Sequence, residues 1–207
     1  MQTLNFKEKL YAIADFETCQ KYSITIDNFV KGYFTGGGKI VQYRDKLSKP
    51  DEIEKTVLNL INLVEKHKGY LIINDHYSIA EKYNLPFHIG QDTQNIKSRL
   101  PFGKSIHTLG ELNHLMKEKA QPDYIGFGAM FPSKTKSEVS INLSLLPEVQ
   151  KLWKKNIVLI GGISEKNVEL LPHKNNIYYA VISDFFSKGN SIQQIEIYTK
   201  KILNKLI

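Results

Sequence analysis

The sequence has a single cysteine in 207 residues, Cys19, which excludes an intrachain disulfide and a metal site built on several thiolates. A buried, inert thiol suits Cys19 better than a catalytic one. No apolar run approaches the roughly 20 residues that a membrane-spanning helix needs. The opening segment, MQTLNFKEKL, lacks the apolar core of a signal peptide. The net charge is +7, yet there is no dense basic run and no nucleic-acid-binding motif. Most of the lysines sit beside glutamates in helix-like segments, as in Glu52 to Lys68 and Lys188 to Lys205, the pattern of a solvated surface. No low-complexity stretch and no linker divides the chain. These absences predict one domain over residues 1–207 in a reducing, cytoplasmic setting, with neither nucleic acid nor a membrane as partner. The surplus positive charge remains suited to small phosphorylated molecules.

What is present is a regular alternation of short apolar runs with longer helix-like segments. The strand candidates are Leu10 to Asp15, Lys39 to Asp45, Tyr70 to Asp75, Phe87 to Gln91, Lys104 to Thr108, the stretch opening at Tyr124, Ile157 to Gly162, and Tyr178 to Phe186. Between them, Pro50-Asp51 opens a helix with apolar residues at Ile53, Val57, Leu60, Ile61 and Val64, the spacing of one buried face. A second helix is expected from Leu109 to about Lys119, and Ser191 is placed to cap a final amphipathic one. Strands apolar on both faces and alternating with helices predict an α/β fold, a single (β/α)8 TIM barrel. The alternative, a doubly wound open sheet, would carry a glycine-rich phosphate loop after its first strand. Asp15-Phe16-Glu17 stands there instead.

Such a barrel gathers its chemistry at the C-terminal ends of its strands, so each strand's last residues are the site candidates. Gln42, Arg44 and Lys46 alternate, which puts an amide, a guanidinium and an ammonium on one side of an extended segment. That trio suits a diphosphate; a polar barrel interior or an ion pair with Asp45 is the alternative. Asn74-Asp75 ends the third strand. The Asp75 carboxylate fits a Mg²⁺ ligand and equally an N-cap for the helix that follows. Asp92, after the fourth strand, is a second metal-ligand candidate or a helix cap. Ser105 and His107 share one face of the fifth strand, where a catalytic and a structural role for His107 are equally open. The stretch YIGFGAMFPSKTK, Tyr124 to Lys136, is a hydrophobic strand that ends in hydroxyls and ammonium groups: Ser133, Thr135 and Lys136. The seventh strand ends in Gly161-Gly162 and the eighth in Ile182-Ser183, where backbone N–H groups could approach a phosphate. The set describes two anion pockets, one by strands two and three and one by strands six to eight.

From about Leu10 to about Phe186 these tips, in this order, resemble the thiamine-phosphate synthase family. VQYRDK is similar to its diphosphate-binding Q-x-R-x-K segment, and LIIND to its metal and pyrimidine segment. HIGQD is similar to its H-x-G-Q segment, KSIHT to its S-x-H-T strand, and YIGFGAMFPSKTK to its Y-x-G-x-G-P-x-F-x-T-x-T-K strand. IGGI and VIS resemble its phosphate-binding backbone. The resemblance implies a Mg²⁺-dependent transferase that couples hydroxymethylpyrimidine diphosphate with a thiazole phosphate, with or without its carboxylate, to give thiamine phosphate and pyrophosphate. By position it implies that Gln42, Arg44, Lys46 and Asn74 hold the pyrimidine diphosphate, that Ser105 contacts it, and that Lys136 contacts the diphosphate. Ser133 and Thr135 would meet the thiazole substrate, and Gly162, Ile182 and Ser183 would offer donors to its phosphate. Arg44, Ser105 and Lys136 are then the catalytic candidates, and Asp75 the Mg²⁺ ligand.

There are departures. The family's second metal aspartate, in G-Q-x-D, falls on Thr93, and Asp92 stands one residue early. A one-residue shift along a strand turns a side chain to the other face, which a loop at the strand end can correct. Ser133 replaces the family's threonine and Ala129 its proline. A related branch, the thiazole tautomerases, shares the barrel and would use His107 as an acid–base group. A non-catalytic barrel binding thiamine phosphates is a third reading. The retained Gln42, Arg44, Lys46, Asn74, Asp75 and S-K-T-K run favours the synthase. Small-molecule substrates are the expected partners, and a homodimer is left open.

Overall fold

Strands that are apolar on both faces need cover on both sides, and a sheet closed on itself under a ring of helices supplies it. A computed structural model describes residues 6, 8–90, 98–132 and 141–206. Its eight parallel strands pair in sequence order and close into a barrel. They are β1 Leu10–Asp15, β2 Ile40–Arg44, β3 Tyr70–Asn74, β4 Phe87–Ile89, β5 Phe102–Ile106, β6 Tyr124–Gly128, β7 Asn156–Ile160 and β8 Ile177–Val181. The helices are α1 Phe16–Lys21, α2 Ile26–Thr35, α3 Pro50–Lys66, α4 Tyr77–Lys82, α5 Leu109–Leu115, α6 Leu146–Leu152 and α7 Ile192–Asn204. Among the described residues no helix is long and apolar enough to cross a membrane.

Local chemistry fixes the helix ends. In α3, Pro50 occupies the first turn, where its missing N–H costs nothing, and Glu52 Oε2 accepts from the Lys49 N–H at 3.0 Å. In α7, Ser191 Oγ accepts from the Gln194 N–H at 3.2 Å while Gln194 answers the Ser191 N–H, a reciprocal cap. Ile53, Val57, Leu60 and Val64 form the buried stripe of α3. Ile61, expected with them, is only partly buried at its edge.

Alternation along the strands separates two cores. One lies between sheet and helices. The other fills the barrel and includes Tyr11, Ile13, Ile40, Ile72, Tyr124, Val158, Tyr178 and Ala180, with Phe6 entering from the N-terminal side. The parity that turns Tyr11 and Ile13 inward also turns Asp15 inward. In the same way Ile40 brings Gln42 and Arg44, and Ile72 brings Asn74.

Several expected boundaries move. β5 starts two residues early, at Phe102, whose ring stacks on Phe87 of β4 at 5.4 Å. The helix expected to reach Lys119 ends at Leu115. β8 stops at Val181, and Ser183–Phe186 form a 3-10 helix. Phe185 and Phe186 read as strand residues in the sequence, but their rings pack outside the barrel on Phe29 of α2, at 5.1 and 5.6 Å.

Candidate active site

At the C-terminal mouth, opposite charges fasten neighbouring strand ends. The Arg44 guanidinium pairs with Asp15, its register partner across β1 and β2. Asp15 also accepts from the Thr18 N–H at 3.0 Å and the Thr18 hydroxyl at 2.7 Å, so it caps α1 as well. β2 ends at Arg44, and Lys46 lies beyond the strand, yet its Nζ stands 3.5 Å from Asp75 Oδ2. Asp75 Oδ2 accepts from Asn74 Nδ2 at 2.8 Å, and its Oδ1 accepts from the Gly90 N–H at 3.0 Å. Its φ of +60° is uncommon for a residue with a side chain.

Two alternatives from the sequence fail here. Asp75 does not cap α4: His76 holds the cap position, makes no side-chain cap bond, and donates from Nε2 to the Asp45 carbonyl at 2.7 Å. Asp45 does not pair with Arg44 or Lys46. It is buried and accepts from Tyr43 Oη at 2.9 Å and from the Leu47 and Ser48 N–H groups at 3.0 Å. Burial pushes the Asp45 carboxyl up, but these hydrogen bonds outweigh it and hold it below the usual carboxylate range.

Deeper in, Gln42 Nε2 donates to Tyr11 Oη at 2.8 Å, and Tyr11 Oη lies 2.9 Å from Tyr124 Oη. Tyr124 Oη is 3.0 Å from His88 Nδ1, and His88 Nε2 is 2.9 Å from Ser105 Oγ. Burial pushes both phenols up and drives His88 down to about 4, with the Asp75 charge pulling the other way. At neutral pH the whole group is uncharged.

His107, just beyond the end of β5, hydrogen-bonds from Nδ1 to the Gly128 carbonyl at 2.9 Å. Carbonyls only accept, so the neutral ring carries its proton on Nδ1 and presents a bare Nε2. Buried Asn142 holds this corner, donating to the carbonyls of His107 at 2.7 Å and Gly128 at 2.8 Å.

Beside this corner, at the end of β7, Gly161 and Gly162 both have positive φ, +94° and +65°. A Cβ on Gly162 would lie 2.5 Å from the Phe131 carbonyl oxygen, so no larger residue fits. Asn167 braces this turn, donating to the Gly162 carbonyl at 2.9 Å and accepting from the Ser164 N–H at 2.8 Å. Ser183 opens the 3-10 helix, whose first N–H has no intrahelical partner.

Among the described residues no three His, Cys, Asp or Glu side chains gather as a metal site. The Asp75 carboxylate is part-exposed, 28%, with one direct charged partner among the described residues, Lys46. This suits a cation held by one protein carboxylate together with water and substrate oxygens, the usual manner for Mg²⁺. Asp92, Ser133, Thr135 and Lys136 lie outside the described residues. Gln42, Arg44, Lys46, Asn74, Asp75 and Ser105 belong to β2, β3, β5 and the turns that follow β2 and β3. Gly162, Ile182 and Ser183 follow β7 and β8.

Five contributors escaped the sequence reading. Asp15 sits at a strand tip, so the rule that picked Arg44 also applied to it. His88 stood inside HIGQD without a role. Tyr11 and Tyr124 read as core, and Asn142, far from any strand tip, carried no signal.

A family model described as thiamine monophosphate synthase matches residues 10–185. A thiamine-phosphate synthase of Dictyoglomus turgidum is 31% identical over 98% of this chain and 96% of its own length. One from Nitrosococcus oceani is 33% identical over 86% and 84%. The solved thiamine phosphate pyrophosphorylase of Pyrococcus furiosus superposes with a TM-score of 0.80 over 99% of each chain at 23% identity, a likeness of fold.

Proposed function

The chain belongs to the thiamine monophosphate synthase family, and we propose that it joins hydroxymethylpyrimidine diphosphate to a thiazole phosphate, releasing pyrophosphate. The observation that carries this reading is the cluster at one barrel mouth: a guanidinium, an ammonium, two amides, a carboxylate and a hydroxyl, on Arg44, Lys46, Gln42, Asn74, Asp75 and Ser105. A diphosphate leaving group needs such a set of donors beside a cation site.

In this reading the C–O bond to the diphosphate breaks, and the thiazole nitrogen takes the pyrimidine carbon. Negative charge then grows on the leaving oxygens. Arg44 and Lys46 meet it with charge-assisted hydrogen bonds, already aimed by Asp15 and Asp75 and so needing little rearrangement. Mg²⁺ bound at Asp75 would supply further positive charge to the same oxygens. Asn74 holds the Asp75 carboxylate in place. Lys136 would reach the diphosphate, and Ser133 and Thr135 the thiazole. Gly162, Ile182 and Ser183 would offer N–H groups to the thiazole phosphate. Asp92 stands for the second metal ligand. Thr93→Asp raises Mg²⁺ affinity if the displaced aspartate limits the enzyme.

The bare Nε2 of His107 at the same mouth favours a second reading, an acid–base role on the thiazole as in a tautomerase. One assay separates the two. The purified protein is incubated with both substrates over a range of Mg²⁺, and thiamine phosphate and pyrophosphate are measured. Equal yields of both support the synthase. Isomerisation of a carboxythiazole phosphate without coupling assigns the tautomerase, and binding without turnover assigns a sensor.

A further inference from the structure

Five side chains from five strands form an unbroken line across the barrel: Gln42, Tyr11, Tyr124, His88 and Ser105, with successive distances of 2.8, 2.9, 3.0 and 2.9 Å. Space for the rings comes from two inward glycines. A Cβ on Gly103 would stand 2.1 Å from the Tyr124 ring, and one on Gly126 would stand 3.3 Å from His88 Cε1.

The direction of the line follows from its far end. Gln42 presents Nε2, which can only donate, so the Tyr11 oxygen accepts. Among the described residues the Tyr11 hydrogen then has one acceptor, the Tyr124 oxygen. Were Tyr124 to donate to Tyr11, the Tyr11 hydrogen would be buried without a partner. The Tyr124 hydrogen therefore goes to His88 Nδ1. A neutral imidazole that accepts at Nδ1 carries its proton on Nε2 and donates it to Ser105 Oγ. The Ser105 hydrogen is left for a group outside this line. The opposite direction requires the Gln42 amide to present its oxygen to Tyr11, with Ser105 then donating to His88.

We propose that His88 is a positioning residue: its Nε2–H turns the Ser105 hydroxyl into a hydrogen-bond donor reserved for an acceptor atom of the pyrimidine diphosphate. The proposal rests on the synthase reading for the identity of that substrate. The proton arrangement itself is a property of the free protein.

¹⁵N-histidine NMR tests that arrangement without turnover, so its failure is separable from failure of the synthase reading. The His88 signals are identified by their loss in His88→Gln. The expected result at neutral pH is a protonated Nε2 and a bare Nδ1. A protonated Nδ1 overturns the proposal. Kinetics supply the second arm. Ser105→Ala and His88→Leu each lower kcat/KM for the pyrimidine diphosphate by roughly tenfold or more, leave KM for the thiazole phosphate alone, and are no worse combined. His88→Gln, with an N–H near the Nε2 position, recovers much of the loss. Additive losses, or no recovery in His88→Gln, contradict the role. Should His88→Leu fail to fold, His88→Gln and the NMR of the parent protein still decide.

Discussion

The two ends of the barrel interior share strands and axis but differ in chemistry. At the N-terminal end Phe6 meets the rings of Tyr11, Tyr70, Tyr124 and Tyr178 at 5.1 to 6.2 Å, all edge-on. Tyr178 Oη donates to the Phe6 carbonyl at 3.0 Å, which ties the incoming segment to this plug. At the C-terminal end the same inward parity delivers Asp15, Arg44, Asn74, Ser105 and His107. Tyr11 and Tyr124 belong to both, with rings in the plug and hydroxyls in the polar line. The difference teaches that one end holds the strands in register so that the other can hold charges and donors in fixed positions.

Breaking either end should therefore give opposite phenotypes. The largest effect is expected from Arg44→Ala, which removes the guanidinium proposed to meet the leaving group. It should lower kcat/KM about 10²–10³-fold, with little change in melting temperature; steady-state kinetics and calorimetry together check it. Phe6→Ala should do the reverse. It empties the plug and costs about 3 kcal/mol of stability, read by denaturant unfolding, while the folded fraction keeps its kcat/KM within a few-fold.

Acid sharpens the contrast at the residue between the two ends. His88 titrates near 4 in the folded protein against an ordinary 6.5. Between these values the unfolded chain binds a proton that the native state refuses. The stability His88 allows is thus full above about pH 6.5 and falls as pH drops toward 4, by up to about 1.4 kcal/mol per unit. Carboxylates also contribute as the pH falls, so the comparison is with His88→Gln, whose stability should fall less steeply from pH 6.5 to 5. Parallel slopes would contradict it. The smallest effect belongs to Tyr178→Phe, which deletes one buried hydrogen bond at the plug. It should cost about 1 kcal/mol with no change in kinetics.

The barrel was legible because each strand is a short apolar run with a breaker after it; period-two alternation then put Gln42, Arg44 and Lys46 on one side and Ser105 with His107 on another, while Asn74 was named by its place at a strand end. Ile182 to Phe186 misread as strand because apolar composition does not say which surface it packs on. Phe185 and Phe186 face the helices, and Asp184 bonds to the Glu165 N–H instead of continuing a strand. The partners of the tips were not legible. Asp15 meets Arg44 across 29 residues through the register of β1 on β2, and Tyr11 meets Tyr124 across 113 through closure of the barrel, contacts that no local pattern announces. His88 shows the limit most clearly: its motif was visible, but its neutral state and its hold on Ser105 follow from burial and from Tyr124.

The central claim is that the polar end carries out diphosphate chemistry. ³¹P NMR of the purified protein with both substrates and Mg²⁺ tests it most directly, run beside Arg44→Ala. The account predicts pyrophosphate and thiamine phosphate appearing one to one, with the variant slowed about 10²–10³-fold. No pyrophosphate at any Mg²⁺ concentration, or an Arg44→Ala protein as fast as the parent, would contradict it.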